Sequence, residues 1–156
     1  MGDDGIAAEL AEAPATVLAA CACTSLRRAA RLVTHRYDAT LASSGLRLSQ
    51  FTLLLACAVE EAATIGAIAD RLDLDRTTLT RTLRRLSESD HVEIVRGADR
   101  RARRVSLTDH GRATLKRALP LWAAAERDLA AALGWDDLEG LMTSLRRLSA
   151  GGPGSG

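Results

Sequence analysis

The sequence predicts a mainly α-helical fold that carries one small β-hairpin, and three observations lead there. Alanine and leucine dominate the chain while Phe, Trp and Tyr make up only 3% of it, a composition that favours helices. Apolar residues recur at spacings of three and four through most of its length, the period of a helix with one buried face. Only one stretch is rich in β-formers: residues 91–96, with Val92, Ile94 and Val95, and residues 103–107, separated by the turn-forming Gly97-Ala98-Asp99. With 156 residues, 47% hydrophobic and 26% charged, the chain can build one domain with its own core and has an ordinary globular composition.

Residues 1–13 are small, acidic and aperiodic and are expected to form a flexible lead-in. Residues 14–43 read as a helix whose apolar stripe is Leu18, Ala22, Leu26, Ala29, Val33 and Tyr37, broken by Ser44-Gly45. A second helix starts near Ser49, a suitable N-cap, and buries Phe51, Leu54, Leu55 and Ala58. Thr64 caps a third, with Ile65, Ile68, Ala69 and Leu72; Asp75 caps a fourth, with Leu79, Leu83 and Leu86 inward. After the hairpin, Thr108-Asp109 opens a long helix to Leu133 carrying Leu115, Leu119, Trp122 and Leu129. Pro120 is expected to kink it and Gly134 to end it. A last helix over 136–149 presents Leu138, Leu141, Leu145 and Leu148, and residues 150–156 are a flexible tail.

The net charge is only +1, but it is unevenly placed. Between Arg76 and Arg104 stand nine arginines against Glu88, Asp90, Glu93 and Asp99, a local excess of 9 − 4 = +5. A nearly neutral protein that concentrates arginine on one segment presents an anion-binding face. No apolar run reaches the roughly 18–20 residues of a membrane span. The acidic start (Asp3, Asp4, Glu9) lacks the basic lead of a signal peptide. A cytoplasmic protein with no membrane association is expected. There is no phosphate loop, no HExxH and no nucleophile elbow, so no enzyme and no cofactor is expected. Cys21, Cys23 and His35 lack the tight spacing of a structural zinc site, so no metal is expected either.

At about 100° per residue, the fourth helix sets Leu79, Leu83 and Leu86 on one side and Thr77, Thr78, Arg81, Arg84 and Arg85 on the other, with Arg76 in its first turn. Such a face suits the major groove of double-stranded DNA. Arginine can hold guanine O6 and N7 in a bidentate fork, and threonine can meet a thymine methyl or a phosphate. The helix N-terminus adds N–H groups and a positive dipole end. Arg100, Arg101, Arg103 and Arg104 sit at the tip and flanks of the hairpin, where arginine can enter a narrow minor groove. Asp99 beside them is expected to orient one of these arginines. The order helix, turn, helix, strand, basic loop, strand is that of a winged helix-turn-helix.

The runs IADRLDLDRTTLTRTLRRL and DRRARRVSLTDHG together resemble the MarR family of winged-helix transcriptional regulators. The second run carries the family's wing signature in Asp99, Arg101, Val105, Leu107 and Thr108, and the likeness extends over about residues 14–149. The resemblance implies a homodimer whose helical dimerisation region is 14–43 plus 112–149, with a DNA-binding domain at 48–111. It also implies a pseudo-palindromic operator, repression, and release by a small-molecule effector. Independently, the terminal helices hold more Ala and Leu than a lone domain needs, an excess a second copy would bury. Two alternatives stay open. One is a thiol-based redox regulator using Cys23, which falls near the reactive cysteine of the family's organic hydroperoxide regulators, with Cys21 beside it on the same helix and Cys57 further on. The other is a winged-helix module whose basic face meets an acidic protein.

Overall fold

A computed structural model describes residues 20–59, 62–96 and 103–150. The chain divides into two compact units, Met1–Arg36 and Tyr37–Gly156. The described part of the first is the leading portion of helix α1 (Ala22–Leu41). Its expected apolar stripe is not buried in the single chain: Ala22 and Ala29 are exposed, Leu26 is 40% exposed and Val33 is half-buried. Tyr37 and Leu41, at the other end of α1, are buried.

The second unit is built around α2 (Leu48–Val59), which follows a 3-10 turn at Ala42–Ser44 and Gly45 in the left-handed region (φ 79°). The second helix begins one residue before Ser49, and Ser49 does not cap it. Asp38 of α1 takes the cap role instead, accepting from Leu48 N at 2.7 Å, while Gln50 Oε1 accepts from Arg47 N at 2.9 Å. A cap supplied by another helix leaves no local sequence signal. The buried face is Phe51, Leu53, Leu54, Ala56 and Cys57; Leu55 is only half-buried and Ala58 is exposed. The Phe51 ring stacks on Trp122 with centroids 6.2 Å apart.

A third strand appears where only a hairpin was expected. Strand β1 (Ala63–Thr64) pairs antiparallel with β3 (Arg103–Leu107), which pairs antiparallel with β2 (Val92–Arg96), giving the order β1-β3-β2. Ala63 faces Val105 on one side of β3, and Ile94 faces Val105 on the other. Two residues have no alternation to read, so β1 exists only through its partner.

Helices α3 (Ile65–Leu72) and α4 (Arg76–Glu88) form the helix-turn-helix. Both expected caps are present: Thr64 Oγ1 accepts from Ala67 N at 3.1 Å, and Asp75 Oδ1 from Thr78 N at 2.8 Å. Asp73, in the left-handed region (φ 49°), turns the chain between them. Leu79, Leu83 and Leu86 are fully buried. Each such leucine contributes roughly 1.5–3 kcal/mol relative to an exposed one, so the roll of α4 about its axis is strongly fixed.

The long helix α5 (Asp109–Leu133) is capped by Thr108, whose Oγ1 accepts from Gly111 N at 2.9 Å and donates to the Asp90 carbonyl. It ends at Gly134, and α6 (Trp135–Ala150) follows, one residue longer at each end than expected. Tyr37 OH donates to Glu126 Oε1 at 2.8 Å across α1 and α5. Burial, followed by this contact with a carboxylate, raises the phenol well above its ordinary range. No residue of α6 is buried, and Leu119, Leu141 and Leu148 of the expected apolar faces are 41%, 42% and 64% exposed. Helical period locates an apolar face; it does not say whether the same chain covers it.

Candidate nucleic-acid interface

The three buried leucines of α4 turn its opposite face outward. Thr77, Thr80, Arg81, Arg84 and Arg85 are all exposed. An open depression of about 470 Å³ lies on that face, lined by Arg76, Thr77, Thr80, Arg81 and Arg84. No carboxylate is among its lining residues. Arg84 Nε makes an exposed ion pair with Glu88 Oε1 at 2.8 Å, one turn on. An exposed pair of this kind is weak enough to yield to an incoming phosphate.

Two of the expected site residues are placed differently from the rest. Thr78 does not face outward with Thr77. It is half-buried on the flank, and Asp75 accepts from both its backbone N–H and its hydroxyl. These bonds hold the Asp75 carboxyl below its usual range, with smaller contributions from the Thr77 N–H and the Arg81 charge. One N–H at this helix end is therefore already occupied. Arg85 is exposed but does not line the depression. Thr80, which the sequence reading passed over, does. By wheel angle it stands at the edge of the outward arc, and the depression extends to it.

On the hairpin, Arg103 and Arg104 are exposed on β3. One arm of Arg104 is committed: Nη1 donates to the Ala62 carbonyl at 3.0 Å, tying β3 to the turn before β1. Asp99, Arg100 and Arg101 lie outside the described residues.

The corner between α4, β2 and α5 holds the two histidines that flank the hairpin. Their rings meet edge-to-face with centroids 4.8 Å apart. His91 Nδ1 is 2.8 Å from Ser89 Oγ, whose own proton points to the Arg85 carbonyl at 2.9 Å. Burial, then the neighbouring His110, depresses the His91 pKa; Asp90 and the Ser89 backbone oppose this and Arg117 adds to it. The folded state thus favours the neutral ring. Stability is full above the unfolded value of about 6.5 and is lost as the pH falls through that value and then through the lower folded one. Unfolding free energy measured from pH 7.5 to 5.5 is expected to fall more steeply for the wild type than for His91→Gln. Parallel profiles would show that the ring titrates freely.

The cysteines are not equivalent. Cys57 is buried, and burial pushes its thiol up to about 11. Cys23 is exposed in the first turn of α1. Cys21 is not on the helix with it but immediately before, where its carbonyl accepts from Ser25 N at 3.0 Å. Bonds from the Thr24 side chain and backbone N–H lower the Cys21 thiol pKa, as expected for a thiol capping a helix N-terminus. Among the described residues no cluster of three His, Cys, Asp or Glu side chains is placed to hold a metal ion, and no single helix is long and apolar enough to cross a membrane.

The family model described as MarR family matches residues 44–104, from the end of the 3-10 turn into β3. Over 91 residues the chain is 37% identical to the HTH-type transcriptional regulator TtmR of Methylorubrum extorquens (strain PA1). That match takes in 58% of this chain and 47% of TtmR, so the chain spans about half the length of this curated relative. Among solved structures, the transcriptional regulator MosR of M. tuberculosis in complex with DNA superposes with a TM-score of 0.74 at 36% identity, over 83% of this chain and 96% of MosR. The transcriptional repressor CouR bound to a 23-mer DNA duplex gives a TM-score of 0.79 at 30% identity, over 85% of this chain and 95% of CouR. CouR bound to p-coumaroyl-CoA gives 0.81 at 27%, over 88% and 98%. With the family model over the helix-turn-helix and 36% identity to MosR across 96% of that protein, the chain belongs to the MarR family of winged-helix transcriptional regulators.

Proposed function

We propose that this protein is a homodimeric repressor that reads a pseudo-palindromic operator through α4, steadies itself on phosphates through the hairpin arginines, and is released by a small organic effector. It works in the cytoplasm. The observation that carries this reading is the outward face of α4: Thr77, Thr80, Arg81 and Arg84 exposed around one depression, held in place by three fully buried leucines. The DNA and ligand complexes of CouR support the pairing of operator and effector. The dimer is supported by the apolar side chains left outside on the terminal helices: Leu26 and Leu32 on α1, Leu133 on α5, and Trp135, Leu141 and Leu148 on α6. So much exposed apolar surface is unusual for a monomer and fits an isologous interface. Sedimentation of the full chain at low micromolar concentration is expected to give a dimer, and selection from random duplexes a two-fold symmetric motif. A monomer, or the absence of any enriched motif, would end this reading.

A second reading, in which a thiol gates DNA binding, stays open at Cys23, exposed in the first turn of α1, and at Cys21, partly exposed just before it with its thiol pKa lowered by Thr24. The thiolate would attack the distal oxygen of an organic hydroperoxide and break its O–O bond, leaving a sulfenic acid and an alkoxide that takes a proton from water to become the alcohol. Treated with such a peroxide, the wild type is expected to lose operator binding, and whichever of Cys23→Ser and Cys21→Ser retains it carries the reactive thiol. Retention by the wild type would leave the organic effector as the only release signal.

A further inference from the structure

Helix α4 carries four threonines in thirteen residues. Threonine is a weaker helix former than Ala, Leu or Arg, so each one calls for a local reason. Two have theirs inside the molecule. The Thr78 hydroxyl and N–H serve the Asp75 cap, and the Thr82 hydroxyl donates to the Thr78 carbonyl at 3.0 Å; both residues are half-buried. Thr77 and Thr80 are different. Both are exposed, both line the depression with Arg81 and Arg84, and neither hydroxyl has a partner among the described residues.

We infer that Thr77 and Thr80 are specificity-determining residues that read thymine, their methyl groups meeting 5-methyl groups on base pairs next to a guanine held by Arg81. This rests on the reading of α4 as the major-groove helix. Within that reading, side-chain length sorts the contacts. Arginine can reach out to phosphates at the groove walls or down to a guanine. A threonine side chain ends close to the helix surface, so it touches only what that face meets directly. On the groove floor the thymine methyl is the apolar group available to it. Thr77 and Thr80 are separated by a rise of about 4.5 Å, near the 3.4 Å step between base pairs, so they address neighbouring thymines. Thr78, whose hydroxyl is engaged, takes no part.

The test uses the full-length protein and the operator recovered by selection. Each thymine is replaced in turn by deoxyuridine, which removes only the 5-methyl group. Two positions per half-site are expected at which the wild type binds about fourfold more weakly, the transfer value of one buried methyl-sized group. Thr80→Ser, which drops the methyl and keeps the hydroxyl, should show the same loss on the thymine operator and no further loss once its own position holds uracil. Thr77→Ser should behave likewise at the second position. Thr80→Val, which keeps a methyl, should retain the sensitivity to uracil. The inference is overturned if uracil is tolerated at every position, or if the serine and uracil losses simply add. Both outcomes leave DNA binding by α4 standing. Recovery of no operator at all would overturn that reading and the inference with it.

Discussion

Gly111→Ala is expected to lower the stability of the folded chain at the upper end of the roughly 1–3 kcal/mol that overpacking costs, or beyond it. A Cβ at Gly111 would fall 1.9 Å from the His91 carbonyl oxygen, 2.9 Å from its carbon and 3.2 Å from its Cα. All three are backbone atoms, so no rotamer change relieves the clash. The same carbonyl accepts from Thr108 N at 3.2 Å, and His91 N donates to the Leu86 carbonyl at 2.8 Å. Moving residue 91 therefore disturbs the end of α4, the start of β2 and the cap of α5 together. Gly140, with nothing within 4 Å of its virtual Cβ, is the control. Gly140→Ala should be neutral or stabilising by up to ~1 kcal/mol, the helix-propensity difference. Urea unfolding at matched protein concentration measures both, and an unchanged midpoint for Gly111→Ala would mean that this corner is looser than described.

Arg81→Ala is expected to weaken operator binding by about 1–3 kcal/mol, the value of a bidentate base contact, and to relax the preference at one position in each half-site. Its melting temperature should be unchanged, because the side chain is exposed and no described hydrogen bond depends on it. Arg104→Ala should behave differently. Its guanidinium holds the Ala62 carbonyl, so its loss should reduce stability by about 1 kcal/mol and weaken all sequences alike. Competition binding against operator variants separates the two. An Arg81 variant that loses affinity equally on every sequence would remove Arg81 from the base edges.

What could be read from the sequence follows how local each determinant is. Thr64 and Asp75 were legible as caps, and Thr108-Asp109 as a helix start that Thr108 proves to cap, because a cap and its N–H lie within three residues. The start of α2 was not, since Asp38 reaches it from another helix. Strand β1 was missed for the same reason, being defined by Val105 and Arg104 far along the chain. Periodicity placed Leu79, Leu83 and Leu86 in the core, and it marked an apolar face with Leu26, Leu119, Leu141 and Leu148 that this chain alone leaves exposed. Within the candidate site, arginine content pointed to the face of α4 that the fold leaves exposed. That Thr80 lines the depression while Thr78 is turned to the Asp75 cap could be read only from the folded chain. The glycine of the TDHG run needed the His91 carbonyl to explain it.

Dimethyl sulfate footprinting of the complex decides whether the outward face of α4 lies in the major groove with Arg81 on guanine. The reagent methylates guanine N7 in the major groove. One protected guanine is expected in each half-site, the two about one helical turn or 10 base pairs apart, with loss of that protection for Arg81→Ala while the protein still binds. Guanines as reactive in the wild-type complex as in free DNA would contradict it.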